Sequence, residues 1–123
     1  MDAGFRLVSQ VADRFLLVTG SGPAAVRDAG RVGELLELMG KHNVRLIVNR
    51  IHKKMAAAMG LTVDDIMDQA GVPLLGIVPE DPNMVLAAAF RQPLLGFTAK
   101  GAATACRRIA KRLLGISVPI PMK

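Results

Sequence analysis

The sequence of 123 residues contains no Trp, no Tyr and only four Phe. Single-stranded nucleic acid is held by stacking bases on aromatic side chains, so this chain has little material for that role and no nucleic-acid partner is expected. Cys106 is the single cysteine. It excludes a disulfide framework and a thiolate metal cluster and fits a reducing, cytoplasmic compartment. His42 and His52 are the two histidines, separated by a predicted strand, and with one Cys they make a poor zinc set. No apolar run approaches the roughly 20 residues of a membrane span. Asp2, Arg6 and Gln10 rule out a signal-peptide pattern at the start. Internal repeats and low-complexity segments are lacking too. So is the phosphate loop G-x-x-x-x-G-K-[ST]: Lys100-Gly101 has the wrong order and follows no strand.

What remains is a chain that is 51% hydrophobic, the size of one compact domain with enough apolar material for a core. Its net charge of +6 suits an anionic neighbour such as a nucleotide, a membrane surface or DNA, or else a solvated basic face.

The periodicity predicts an alternation of helices and strands. Phe5, Val8 and Ala12 share one helical face in "GFRLVSQVAD", and "RFLLVT" (14–19) reads as a strand. "GSGP" (20–23) is a turn that opens a helix with the apolar stripe Ala25, Ala29, Val32, Leu36 and Met39, ended by Gly40 at C′. "VRLIVNR" (44–50) is the second strand. Thr62 caps a short helix with Asp65 three residues on, as in a capping box. Val63, Ile66, Met67 and Ala70 form its stripe, and Gly71 stops it. "VPLLGIVP" (72–79) is the third strand, 83–90 is helical, and Ala102, Cys106, Ile109 and Leu113 face inward from a helix over about 99–114. Arg107, Arg108, Lys111 and Arg112 fall on its polar face, which suits a docked surface helix or an anionic membrane. Residues 119–123, with Pro119 and Pro121, form an extended tail after a domain over 1–118. Short, almost wholly apolar strands separated by helices are the pattern of an α/β fold, a three-stranded parallel sheet flanked by helices on both faces.

Ligands of such sheets sit outside the carboxyl ends of the strands. There the second strand ends abruptly on Asn49 and Arg50, the third on Pro79, Glu80 and Asp81, and the first on Thr19, Gly20 and Ser21. An Asn amide offers a donor and an acceptor, which matches the edge of adenine, and Pro79 offers an apolar wall. The competing reading is turn and strand-end chemistry at each position. "GSGP" is read as a turn and helix start rather than a phosphate loop. Asp64, Asp65 and Asp68 favour the dipole of their helix.

These residues carry a resemblance. "GFRLVSQVAD", "LLVT", "AVRDAGR", "IVNRI", "DDIMDQAGVPLLGIVPED" and "RRIAKRLLG" are similar to segments in the C-terminal half of the septum-site-determining ATPases of the MinD/ParA group, the deviant Walker P-loop family. The resemblance runs from residue 2 to about 118. It implies a partial P-loop NTPase fold, with Asn49, Arg50, Pro79, Glu80 and Asp81 bordering the adenine of ATP. It also implies that the lysine loop and two acidic motifs, which would handle phosphates and Mg²⁺, belong to an N-terminal half not contained in this sequence. Family members dimerise around ATP, recruit division-site regulators and lie at the inner membrane face. The chain departs from the family pattern at Gly20-Ser21-Gly22, at Gly30 in place of an acidic residue, at "AAAFRQ" (87–92) and at the end, where no terminal membrane helix follows. The chain alone is therefore expected to bind ATP weakly or not at all, to lack ATPase activity, to bind membrane poorly, and to expose the edge of its first strand. The alternatives are a non-enzymatic adaptor, or one half of a split ATPase completed by a separate P-loop chain.

Overall fold

The computed structural model describes residues 3–120. Among them the elements run α1 (Ala3–Val11), β1 (Phe15–Thr19), α2 (Pro23–Leu38), β2 (Val44–Ile51), α3 (Lys53–Ala58), α4 (Val63–Ala70), β3 (Leu74–Pro79), α5 (Pro82–Ala89), α6 (Leu94–Phe97) and α7 (Ala102–Leu113). The three strands form one parallel sheet in the order β1-β2-β3, as the apolar runs predict. On one side Val26 and Leu36 of α2 and Ile66 of α4 close over Leu46, Val48 and Leu74. On the other, Ala102 and Ile109 of α7 cover Leu75 and Val78 of β3.

The ends of α4 follow local chemistry. Thr62 Oγ1 accepts from Asp65 N–H, and Asp65 Oδ2 accepts from Thr62 N–H, at 3.1 and 2.8 Å. This is the predicted capping box. The helix stops at Gly71, whose left-handed φ of 65° suits a residue without Cβ.

The structure differs from the sequence reading at several elements. The buried stripe of α2 is Val26, Gly30, Gly33 and Leu36, while Ala25, Ala29 and Val32 are only half-buried and Met39 is exposed. The reason lies in the approach of α4 and the turn after it: a Cβ on Gly30 would stand 2.5 Å from the backbone oxygen of Ala70 at the end of α4, and one on Gly33 would stand 2.5 Å from Cγ2 of Val72, between α4 and β3. The centre of the contact thus falls on residues that carry no hydrophobic signal. Val8 does not join Phe5 and Ala12 against the core and is 58% exposed. The short helices α3 and α6 were not expected. α7 starts at Ala102, after Gly101 at φ 64°.

Arg112 also departs from its predicted polar face. Its Nη1 donates to Leu75 O at 3.0 Å, Nε to Val118 O at 2.9 Å and Nη2 to Pro119 O at 2.6 Å. The guanidinium thereby ties residues 118–119 to β3, across the proposed boundary between domain and tail. Pro121 lies outside the described residues.

Candidate functional site

The carboxyl end of β2 is a bulge. Val48 pairs with Ile77 and Ile51 with Pro79, so Asn49 and Arg50 together oppose one residue of β3. Arg50 takes up the extra length with a left-handed φ of 59°, a conformation that a non-glycine residue adopts only at a cost of order 1 kcal/mol or more. Asn49 Oδ1 accepts from Arg50 N–H at 3.0 Å, which steadies the kink. The ladder resumes when Glu80 N–H donates to Ile51 O at 2.8 Å. The polar pair that interrupts the apolar run is therefore the bulge itself. Asn49 sits half-buried at the strand end, and among the described residues its amide hydrogens have no acceptor.

Asp81 has a different task. Its Oδ1 accepts from Asn83 N–H and its Oδ2 from Ala102 N–H, both at 2.9 Å. One carboxylate thus caps α5 and also meets the N-terminus of α7, where Gly101 has no side chain to offer. These backbone donors, Ala102 first and Asn83 second, hold the Asp81 pKa below the usual carboxylate value.

Asn49, Arg50, Pro79, Glu80 and Asp81 all line one open cleft of about 640 Å³. All five predicted rim residues thus share one site. The opposite wall is Met84, Val85 and Ala88 of α5, which the sequence reading left unassigned. The available signal was the composition of "NMVLAAA", apolar on nearly every side yet exposed along most of its length. The cleft offers a flat apolar slot with an amide at one end, and Arg50 and Glu80 as its exposed charges. Thr19, Gly20 and Ser21 do not line it. Thr19 is buried with its hydroxyl donating to Gly20 O, and Ser21 and Gly22 border a separate apolar pocket with Met55 and Met59. Gly22 caps α2 without a side-chain bond, as a turn and helix start would. Among the described residues no group of three or more His, Cys, Asp or Glu could hold a metal ion. No helix of the described residues is long and apolar enough to cross a membrane.

No family model matches the chain. Individual proteins do. A MinD protein of Nephroselmis olivacea is 40% identical over 121 residues, 97% of this chain and 44% of the relative. The septum site-determining protein MinD of Bacillus subtilis is 35% identical over 98% of this chain and 46% of its own length. The chain is homologous to part of MinD. In three dimensions it superimposes on a chain of the MinC:MinD cell division protein complex of Aquifex aeolicus with a TM-score of 0.90 and 35% identity, covering 98% of this chain and 50% of that one. The parallel sheet flanked by helices is thus the fold of the MinD/ParA P-loop ATPases, and the chain spans about half the length of the MinD proteins it matches.

Proposed function

We propose that the chain supplies the adenine-side rim of a MinD-type nucleotide-binding domain that takes part in ATP-dependent choice of the cell-division site. The reading rests above all on the cleft, which gathers Asn49, Arg50, Pro79 and Glu80 at the carboxyl ends of a parallel sheet in a chain homologous to MinD. The Asn49 amide donates to a ring nitrogen of the base, Pro79 and the α5 wall of Met84 and Val85 sandwich its faces, and Arg50 supports the rim. Asp81 holds the frame, because its oxygens are committed to Asn83 and Ala102. The triphosphate and Mg²⁺ are left to residues outside this sequence, since the chain has no lysine loop. The 123 residues alone therefore do not hydrolyse ATP. In the assembled protein, a cytoplasmic ATPase at the membrane face, the partners would be a second copy and a division regulator of the MinC type that the Aquifex complex contains.

The test is a titration followed by amide NMR shifts. Adenosine and ATP should move the Asn49 and Val85 resonances with similar midpoints near 1 mM, about 4 kcal/mol, and Asn49→Ala should abolish both. Binding at these residues far tighter for ATP than for adenosine, or phosphate release that tracks the purified chain, would overturn the reading.

A further inference from the structure

A second cavity, of about 210 Å³, shares only Pro79 with the cleft. Its wall brings together Lys53 from α3, Arg108 and Arg112 from α7, and the backbone of Gly101. Three cationic side chains line this one cavity and no carboxylate lines it with them; Glu80 borders a neighbouring pocket with Lys53 but makes no ion pair with it, and among the described residues the single ion pair is Arg31–Asp28, on α2. Asp81, whose carboxylate lies against Gly101, has both oxygens engaged by Asn83 and Ala102. Arg112 is occupied with the carbonyls of Leu75, Val118 and Pro119, and the Thr104 hydroxyl donates to Ala99 O. Among the described residues the side chains of Lys53 and Arg108 have no hydrogen-bond or ion-pair partner. Burial first, and then the neighbouring guanidiniums of Arg108 and Arg45, lower the pKa of Arg112.

We propose that the cavity bounded by Lys53 and Arg108 binds a small oxyanion of the phosphate class, at a site separate from the base cleft. A bound anion would relieve the repulsion among these cations. The planar guanidinium of Arg108 suits two oxygens of one phosphate group, and the Lys53 ammonium supplies a point charge from the facing wall. The volume is several times the roughly 30 Å³ that one water occupies, enough for a phosphate group and part of its hydration shell. The source is either free phosphate or the headgroup of an anionic lipid.

The isotope-labelled chain is titrated with inorganic phosphate against chloride at fixed ionic strength and pH. Saturable shifts at Thr104, Ala105 and Arg108, with Asn49 and Val85 unmoved, are expected. Arg108→Gln and Lys53→Gln should each weaken phosphate binding about tenfold, the effect of removing one charge-assisted hydrogen bond. Arg108→Lys keeps the charge but loses the two-oxygen contact, so it should bind between the parent chain and Arg108→Gln, and Arg27→Gln, on the exposed side of α2, should change nothing. Circular dichroism checks that each variant folds. Phosphatidylglycerol and phosphatidylcholine vesicles separate the sources. Retention on the anionic vesicles that free phosphate displaces, and that Arg108→Gln loses, assigns the site to a headgroup; absence of retention with intact phosphate binding assigns it to the free anion. Shifts no larger than those of chloride, or Gln variants that bind phosphate as tightly as the parent chain, would overturn the proposal. Because the readout is at α7 and uses no nucleotide, its failure and that of the adenine reading are independent.

Discussion

Replacing Asp81 by Ala removes the acceptor for two helix N-termini at once. The carboxylate receives Asn83 N–H at the start of α5 and Ala102 N–H at the start of α7. Loss of an Asp cap costs about 1 kcal/mol within a range of roughly 0.5–2. The second bond is of similar kind, because Gly101 cannot replace it, but Asp81 is only half-buried and water can partly substitute. Asp81→Ala should therefore lower stability by about 2 kcal/mol at neutral pH, read as a fall in the urea midpoint with little change in the slope. The pH dependence follows in sign from the lowered pKa of Asp81 in the folded chain. A carboxylate with a depressed folded value contributes stability above its unfolded pKa of about 3.9, and loses it as pH falls through the folded value. The gap between the parent chain and Asp81→Ala should thus be full at neutral pH and close in acid. Asp81→Asn should fall between, since an amide has one acceptor oxygen for two donors. A loss under about 0.5 kcal/mol for Asp81→Ala, or a gap that acid leaves unchanged, would refute the assignment of Asp81 to the frame.

Three further outcomes are expected. Gly30→Ala gains helix propensity worth about 1 kcal/mol but drives a methyl group against the Ala70 carbonyl, so it should still lose a net 1–2 kcal/mol or so in urea unfolding because backbone cannot rotate away. Arg91 follows α5 with a left-handed φ of 55°, and Gln92 N–H returns to Ala87 O; Arg91→Gly should therefore raise stability by about 0.5–1 kcal/mol, seen as a higher melting temperature. β1 is an edge strand whose Leu16 and Val18 are 39% and 64% exposed, so the isolated 123 residues should self-associate through it. Light scattering on a size-exclusion column measures this, and a clean monomer at about 100 μM, where association of roughly 5.5 kcal/mol would register, refutes it.

The parts of the fold that were legible in the sequence are those fixed by neighbours along the chain. β2 and β3 read as strands because buried parallel strands are continuous apolar runs, and α4 was bracketed by the reciprocal Thr62–Asp65 cap and Gly71. Contacts made across space left no such trace. The α2–α4 packing centres on Gly30 and Gly33, which a hydrophobic stripe cannot register, so the expected stripe was displaced toward Ala29 and Val32. α3 has six residues, too few for a periodic pattern, and is capped by the Nδ1 of His52. Arg112 looked like one more cation on a basic face, yet it spends its guanidinium on three carbonyls, one of them 37 residues away.

The same division runs through the candidate site. Polar residues ending an apolar strand singled out five positions, and those five share one cleft. Their separate tasks depend on partners distant in sequence. Asp81 and Asn49 are both short polar side chains at strand ends, but Asp81 is bound to an amide 21 residues away, while Asn49 bonds only to the next residue in its own bulge. A side chain whose capacity is filled by the protein holds the frame, and one with hydrogens left over is available to a ligand. By that criterion Asp81 belongs to the scaffold, and Asn49 is the one of the two that the proposed adenine reading can use. Replacing the first should be felt chiefly in unfolding; replacing the second should be felt chiefly in adenosine affinity, with a smaller stability loss from the Arg50 N–H it leaves without an acceptor.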